Sequence, residues 1–169
     1  MNVQQAVQQL REHSEIIRSM VHDMRDEPAC WRPEATAWSV LEVINHLHDE
    51  EREDFREHLD WILHRADEPW SSIDPRGWVS QRQYNSRHLA DSLAAFLRER
   101  QRSLAWLAGL NDVDWTAVQQ APWGSVTGGD MLAAWVAHDL LHMRQLVELR
   151  WALMRREFAD YKVDYAGGW

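Results

Sequence analysis

The sequence predicts an all-α protein, a four-helix bundle with a long crossover between helices two and three. Four segments repeat apolar residues at helical spacing, and none shows sustained strand alternation. The connection over residues 66–84 has no helical period and is too long for two neighbouring antiparallel helices. It therefore favours a crossover over a simple up-down-up-down order. A length of 169 residues suits a single domain over residues 1–169, with an aromatic C-terminal tail over 157–169.

Each predicted helix carries one apolar stripe, and its ends are marked by capping residues. The approximate bounds are residues 2–25, 39 to the low sixties, 85–109 and 127–156. Ser39 and Glu42 have the spacing of a capping box at the second helix. Gly109 ends the third helix, and Thr127 with Asp130 can begin the fourth. We expect the aromatic tail to pack back onto the bundle, with a dimer contact as the alternative.

Composition excludes several classes of protein. The net charge of −9, from 27 acidic and 18 basic residues, disfavours a nucleic-acid partner. Cys30 is the only cysteine, so neither an intrachain disulfide nor a cysteine-based zinc site is possible. The sequence has no signal peptide and no apolar run long enough to span a membrane, which predicts a cytoplasmic protein without a membrane partner.

The fourth helix carries two histidines where its apolar stripe predicts leucine. His138 and His142 are four residues apart and therefore point the same way from adjacent turns. This arrangement suits one metal ion. A single core histidine is usually only hydrogen-bonded, but two at this spacing favour a shared ligand. Helix two offers a third imidazole from either His46 or His48, and periodicity alone does not choose between them.

Two sequence motifs resemble those of the DinB-like family. Residues 38–47, WSVLEVINHL, resemble its first motif, and residues 138–146, HDLLHMRQL, resemble its second. The resemblance implies a divalent metal held by His46, His138 and His142, and so selects His46 over His48. It also implies an up-down-down-up bundle. Some members of this family are bacillithiol transferases or mycothiol-dependent isomerases.

Three neutral imidazoles leave coordination positions open, which is typical of a reactive site. We expect one divalent ion, zinc or nickel, with manganese or iron as alternatives. The resemblance favours a metal-dependent transferase that acts on a small molecule with a low-molecular-weight thiol. The alternatives are a metal-dependent hydrolase, and a non-enzymatic, metal-stabilised stress-response or interaction module. Family resemblance and eleven tryptophans also predict a homodimer.

Four polar residues near the apolar stripes are candidates for further roles. The sequence does not identify a catalytic residue, but Glu50 and Asp139 are candidate bases, and Asp139 can instead orient an imidazole. We interpret Glu50 as solvated, with metal ligation as another possibility. Arg100 is a candidate clamp for a substrate anion, and pairing with an acid of another helix is its alternative. Ser14 either lines the pocket or bonds back to its own helix.

Overall fold

A computed structural model describes residues 2–65 and 67–168 and has four long helices joined by shorter elements. In chain order the elements are α1 (Val3–Val21), α2 (Asp26–Cys30), α3 (Val40–Glu50), a π-helical segment (Glu51–Phe55), α4 (Arg56–His64), α5 (Pro75–Gln81), a 3-10 turn (Tyr84–Ser86), α6 (Leu89–Gly109), β1 (Val118–Ala121), β2 (Gly124–Thr127), α7 (Gly128–Glu157) and a second 3-10 turn (Asp164–Ala166). None of the helices within these described residues combines the length and apolar character needed to cross a bilayer.

Capping boxes begin two of the bundle helices where the sequence predicts them. At α3 the Ser39 hydroxyl accepts a hydrogen bond from the Glu42 amide at 3.1 Å, and the Glu42 carboxylate accepts one from the Ser39 amide at 2.8 Å. Thr127 and Asp130 form the same reciprocal pair at α7, with bonds of 3.0 and 3.1 Å. These bonds satisfy amides that the first turn of a helix leaves unpaired.

Two apolar clusters show the direction of each bundle helix. The first contains Ile17, Val21, Val40, Ile44, Leu47, Leu89, Phe96, Leu146 and Leu149. The second contains Ala6, Leu10, Phe55, Leu59, Leu104, Leu107, Met131 and Trp135. The helix α1 and the helix α7 therefore run from the second cluster to the first, whereas α3–α4 and α6 run the opposite way. This order is up-down-down-up, as predicted, and residues 67–88 cross the length of the bundle.

The π-helical segment Glu51–Phe55 keeps α3 and α4 on one core stripe. In an unbroken α-helix the eight residues from Leu47 to Phe55 would separate their side chains by about 80° around the axis. A π turn contains one more residue than an α turn and absorbs this difference. Both Leu47 and Phe55 are consequently buried, at 2% and 7% exposure. Residues 40–64 thus form one bundle helix with an interruption immediately after Glu50.

Three local predictions were wrong. The crossover contains the helix α5, which Asp74 caps by accepting a hydrogen bond from the Gly77 amide at 2.9 Å. The connection between α6 and α7 contains an antiparallel hairpin of β1 and β2. Both elements are too short to show a period in the sequence. In the tail, Tyr161 and Tyr165 are 69% and 106% exposed, so this part does not pack onto the bundle; Trp169 lies outside the described residues.

A layer of buried charge separates the two apolar clusters. Arg100 donates to the carboxylate of Glu51 from Nε and Nη2, both at 2.8 Å, and to that of Asp139 at 2.6 and 2.8 Å. Its Nη1 also donates to the Leu10 carbonyl at 2.8 Å. The Trp135 indole donates to Glu51 at 3.0 Å. Arg100 therefore links the helices α1, α3–α4 and α7 from its position on α6.

This layer corrects two expectations about substrate binding. The guanidinium of Arg100 has five N–H donors, and the five bonds described above use all of them. Arg100 is 1% exposed and has no donor left for a substrate anion, so it is a core ion pair and not a clamp. Ser14 is also buried, and its hydroxyl donates to the Arg11 carbonyl at 2.7 Å. It is therefore a back-bonded core serine.

Replacing Arg100 should destabilise the fold strongly. Arg100→Leu leaves the carboxylates of Glu51 and Asp139 buried without a counter-charge, which costs about 3–5 kcal/mol in comparable cases. Urea unfolding monitored by circular dichroism measures this loss. The matched control is Arg102→Leu on the same helix, where the Arg102 side chain is 72% exposed and pairs with Glu99. Its loss should stay below about 1 kcal/mol. Equal losses in both variants would contradict the structural role of Arg100.

Candidate metal centre

Three histidines from two helices meet between the apolar clusters. His46 comes from α3, and His138 and His142 come from successive turns of α7. The Nε2 atom of His138 lies 3.3 Å from Nε2 of His46 and 3.1 Å from Nε2 of His142. The candidate ligand atoms of the three residues all lie within 4.8 Å of one another. The side chains of His46 and His138 are 7% and 18% exposed, so the cluster is largely shielded from solvent.

The spacing of the three rings fits the ligation of one ion. Two nitrogens bound at roughly 2.0–2.1 Å with bond angles of about 90–110° lie about 2.9–3.4 Å apart. The distances of 3.1 and 3.3 Å fall within this range. When each neutral imidazole carries its proton on Nδ1, the three Nε2 atoms can direct their lone pairs at one cation. His46, His138 and His142 can therefore hold a divalent metal ion.

Burial keeps the three imidazoles neutral. It lowers the pKa of His46 to about 2, helped by the proximity of His142 and His138. The same cause, with a contribution from His142, lowers the pKa of His138 to about 3. Burial also lowers the pKa of His142. Because only the neutral imidazole binds a metal, this environment prepares all three residues as ligands at neutral pH.

Neighbouring side chains orient the histidine rings. The Nδ1 atom of His142 lies 2.8 Å from the Gln145 amide oxygen and can donate to it, which leaves Nε2 free for ligation. The Trp38 ring lies 4.8 Å from the ring of His46 and is parallel to that of His142 at 6.3 Å. Phe55 contacts His138 at 4.8 Å between ring centroids. The sequence did not predict that Trp38 and Phe55 form walls around the histidine rings.

The alternative ligand His48 lies outside the cluster. Its Nδ1 atom is 2.7 Å from the carboxylate of Asp49, which also accepts a bond from Tyr84 at 2.5 Å. His48 is two residues from His46 on the same helix and therefore points to a different face. The structure thus places His46, and not His48, beside the two histidines of α7.

Glu50 is buried beside the histidines, contrary to the expectation that it is solvated. Its side chain is 5% exposed, with one carboxylate oxygen 3.9 Å from Nδ1 of His46 and the other 3.9 Å from Nε2 of His138. The Oε1 atom of Glu50 and the Nδ1 atom of His46 have no hydrogen-bond partner within residues 2–65 and 67–168. A buried polar atom without a partner is costly, and at a site it indicates a missing ligand.

Glu50 also holds a proton unusually well. Burial raises its pKa to about 9, and the hydrogen bond and the negative charge of Asp54 add to the effect. A carboxyl group that is protonated near neutral pH can exchange a proton with a bound molecule. Of the two candidate bases, Glu50 has the position that this role requires.

Asp139, the other candidate base, belongs to the charged layer of the core. Both of its oxygens accept hydrogen bonds from Arg100, and its Oδ2 atom is 3.3 Å from Nδ1 of His13. Burial alone would raise the pKa of Asp139, but the charge and hydrogen bonds of Arg100, together with those of His13, outweigh burial and lower it. Asp139 therefore neither accepts protons readily nor orients a histidine of the cluster through a described hydrogen bond.

A cavity of 590 Å³ connects the cluster with the surface. Trp38, His142 and Gln145 line it, and Arg76 and Glu148 bring opposite charges to it. Arg76 lies on α5, the helix that the sequence did not predict, and its side chain is exposed. The crossover thus supplies a cationic residue to the lining of this cavity, and Arg100 is not among the residues that line it.

Comparisons with known proteins agree with this architecture. The sequence profile of the DinB superfamily matches residues 9–146. The chain belongs to the DinB superfamily. Among solved structures it is similar to YfiT from Bacillus subtilis, described as a "probable metal-dependent hydrolase with an unusual four-helix bundle topology". The two share 20% sequence identity with a TM-score of 0.77, over 93% of this chain and 87% of YfiT. A comparison with curated protein sequences finds no match.

Glu50 should give the metal-free protein a distinctive pH dependence. The folded protein keeps the Glu50 proton up to a pKa of about 9, whereas the unfolded chain loses it near the ordinary value of 4.5. Between these values the unfolded state binds fewer protons, so the contribution of Glu50 to the free energy of unfolding falls as the pH rises. Urea unfolding of chelator-treated protein at about pH 6 and about pH 8.5 measures this fall.

The comparison variants isolate this contribution. Glu50→Gln resembles the protonated side chain and cannot ionise, so its stability should fall less over the same interval. Glu57→Gln changes an exposed residue of α4 and should retain the pH dependence of the unaltered protein. An identical fall in the original chain and in Glu50→Gln would show that Glu50 is ionised in the folded state.

Proposed function

We propose that this protein is a metal-dependent hydrolase in which Glu50 is the general base. The single observation that carries the proposal is the position of the Glu50 carboxyl group. It is buried, one of its oxygens has no partner in the described part of the chain, and it lies 3.9 Å from the rings of both His46 and His138. A base in this position can take a proton from a nucleophile held at the cluster.

In the proposed reaction each group near the histidine cluster has a separate role. A divalent ion held by the three histidines would supply Lewis acidity and lower the pKa of a bound nucleophile. The charge of that ion would also favour the ionised form of Glu50, whose Oε1 atom can then accept the proton of the nucleophile and return it to the leaving group. Trp38 and Phe55 cover the histidine rings and limit the access of water. Arg76 at the cavity binds a negatively charged part of the substrate, the role that the sequence suggested for Arg100.

A purely structural metal site explains these features less well. A ligand set built only for stability is normally closed, and the neighbouring acids are hydrogen-bonded. Here the cavity reaches His142, and Glu50 is buried without full hydrogen bonding. Such a carboxyl group reduces stability, which is reasonable only where it serves a reaction.

A thiol transferase is the second candidate, and the charges of the cavity favour it. Arg76 and Glu148 lie on the same cavity as His142, so a ligand with both a carboxylate and an amine can pair with both. Low-molecular-weight thiols built from cysteine carry these groups. In that reaction Glu50 would accept the proton of the thiol, and zinc or nickel would suit a sulfur ligand better than manganese would.

Pairing of two chains stays a prediction. The argument from surplus tryptophan is weak, because the described tryptophans other than Trp123 are at least partly buried. A different surface supports the proposal of a homodimer. Leu140, Leu141 and Val147 are 50%, 58% and 42% exposed on α7, and a second copy could cover them.

Metal binding should depend on the three histidines of the cluster. Protein loaded with zinc and dialysed should retain about one ion per chain, measured by elemental analysis. His138→Ala or His142→Ala should abolish retention, whereas His48→Ala should retain the ion because His48 faces Asp49. We expect the stripped protein to stay helical with a lower melting temperature. Equal metal in the original protein and in a His138→Ala/His142→Ala double variant would disprove the site.

Glu50 should be needed for hydrolysis but not for metal retention. With p-nitrophenyl acetate as a reporter ester, Glu50→Gln should lower the rate by about 10²–10⁴-fold, the usual contribution of a general base. Glu57→Gln is the control and should leave the rate unchanged. Adding cysteine to cobalt-loaded protein tests the second candidate, because direct sulfur ligation produces a charge-transfer band. Such a band, with no ester hydrolysis, would favour the transferase over the hydrolase.

A further inference from the structure

A second cavity is lined by Phe55, whose ring also contacts His138 of the histidine cluster. It encloses 320 Å³ between the crossover, the turn of the β1–β2 hairpin and the start of α7. Its walls include three aromatic rings, those of Phe55, Trp70 and Trp123, together with Met131. The size is within the range of small-molecule sites, and apolar walls of this kind are typical of them.

The aromatic walls are held in fixed orientations. Trp70 and Trp123 meet edge to face, with ring centroids 5.3 Å apart and planes at 78°. On its other side Trp70 stacks on the His58 ring at 4.2 Å and 5°. Trp123 is still 73% exposed, so most of its surface has no contact within the described chain. A tryptophan held at a cavity with its surface open is suited to stacking on a ligand.

The carboxylate of Asp54 at the wall of this cavity forms an ion pair with His58. Asp54 lines the cavity, and its carboxylate lies 2.7 Å from Nδ1 of His58. The Nε2 atom of His58 lies 3.0 Å from the Ser71 carbonyl, so both ring nitrogens face acceptors and both can donate only in the charged imidazole. Burial alone would lower the pKa of His58, but the hydrogen bonds to Asp54 and Ser71 and the charge of Asp54 together outweigh burial and raise it. The pair Asp54–His58 therefore has little net charge.

The cavity adjoins the metal centre through one side chain. The Phe55 ring forms part of its wall and also lies 4.8 Å from the ring of His138. Ala134, one turn before His138 on α7, lines the cavity as well. A molecule in this cavity would therefore place an adjoining reactive group close to the histidines.

We propose that this cavity binds the flat, uncharged aromatic part of the substrate. Aromatic rings in edge-to-face and stacked positions favour a planar apolar ligand. The neutralised Asp54–His58 pair offers no free charge to an ion, and burying an ionic ligand here would be costly. The assignment to a substrate rests on the proposed function, whereas binding of the ring itself does not need the metal.

Calorimetric titration with 2-naphthol tests the proposal on the full chain, both zinc-loaded and stripped with a chelator. We expect 2-naphthol to bind in both states and more tightly than 2-naphthoate, whose charge the cavity does not compensate. Trp123→Ala removes one wall at an exposed position and should weaken 2-naphthol binding about tenfold, since it deletes an aromatic contact. Tyr165→Ala is the matched control, because Tyr165 is an exposed aromatic residue of the tail.

The outcomes separate this proposal from the proposed function. No binding of 2-naphthol, tighter binding of 2-naphthoate, or equal effects of Trp123→Ala and Tyr165→Ala would overturn the aromatic site while leaving the metal chemistry intact. Binding that depends on Trp123, in a protein that cannot be loaded with zinc, would support the aromatic site and reject the metal-dependent hydrolase.

Discussion

The bidentate pairing of Arg100 with Glu51 and Asp139 fixes the relative positions of the bundle helices. A buried guanidinium needs both carboxylates in one plane with its donors, so it tolerates little rotation or sliding of α3–α4 against α7. Glu51 follows Glu50 in the sequence, and Asp139 follows His138. The ion pair therefore sets the register in which Glu50 and His138 meet. Apolar packing alone would allow more than one register at a smaller cost.

Asp139 and Glu50 are both buried acids, but their pKa values shift in opposite directions. The Arg100 guanidinium compensates the charge of Asp139 and lowers its pKa. Glu50 has no such partner, and burial raises its pKa to about 9. Their environments separate a residue that stabilises the bundle from one that can move a proton. Sequence periodicity placed both near apolar stripes but could not distinguish them, because their partners come from helices distant in the sequence.

The sequence predicted those parts of the fold in which a residue pattern repeats along a long helix. The apolar stripes of the four long helices, the capping residues such as Ser39 and the spacing of His138 and His142 gave the bundle and two ligands, and family resemblance supplied His46 and the helix order. The short helix α5 and the β1–β2 hairpin contain too few residues for a period. They supply Arg76 and Trp123, so one part of the wall of each cavity could not be predicted from the sequence.

The π-helical segment Glu51–Phe55 joins two parts of the molecule that otherwise look separate. It stands between His46 with Glu50 on one side and the apolar residues of α4 on the other. Deleting one of its residues would restore regular α-helical geometry, yet it would turn α4 by about 100° relative to α3. Either the α4 residues of the second apolar cluster or the ligand His46 would then point away from the interior of the bundle. The position of the metal ligands and the packing of α4 therefore both depend on the one additional residue of the π turn, so neither can change without the other.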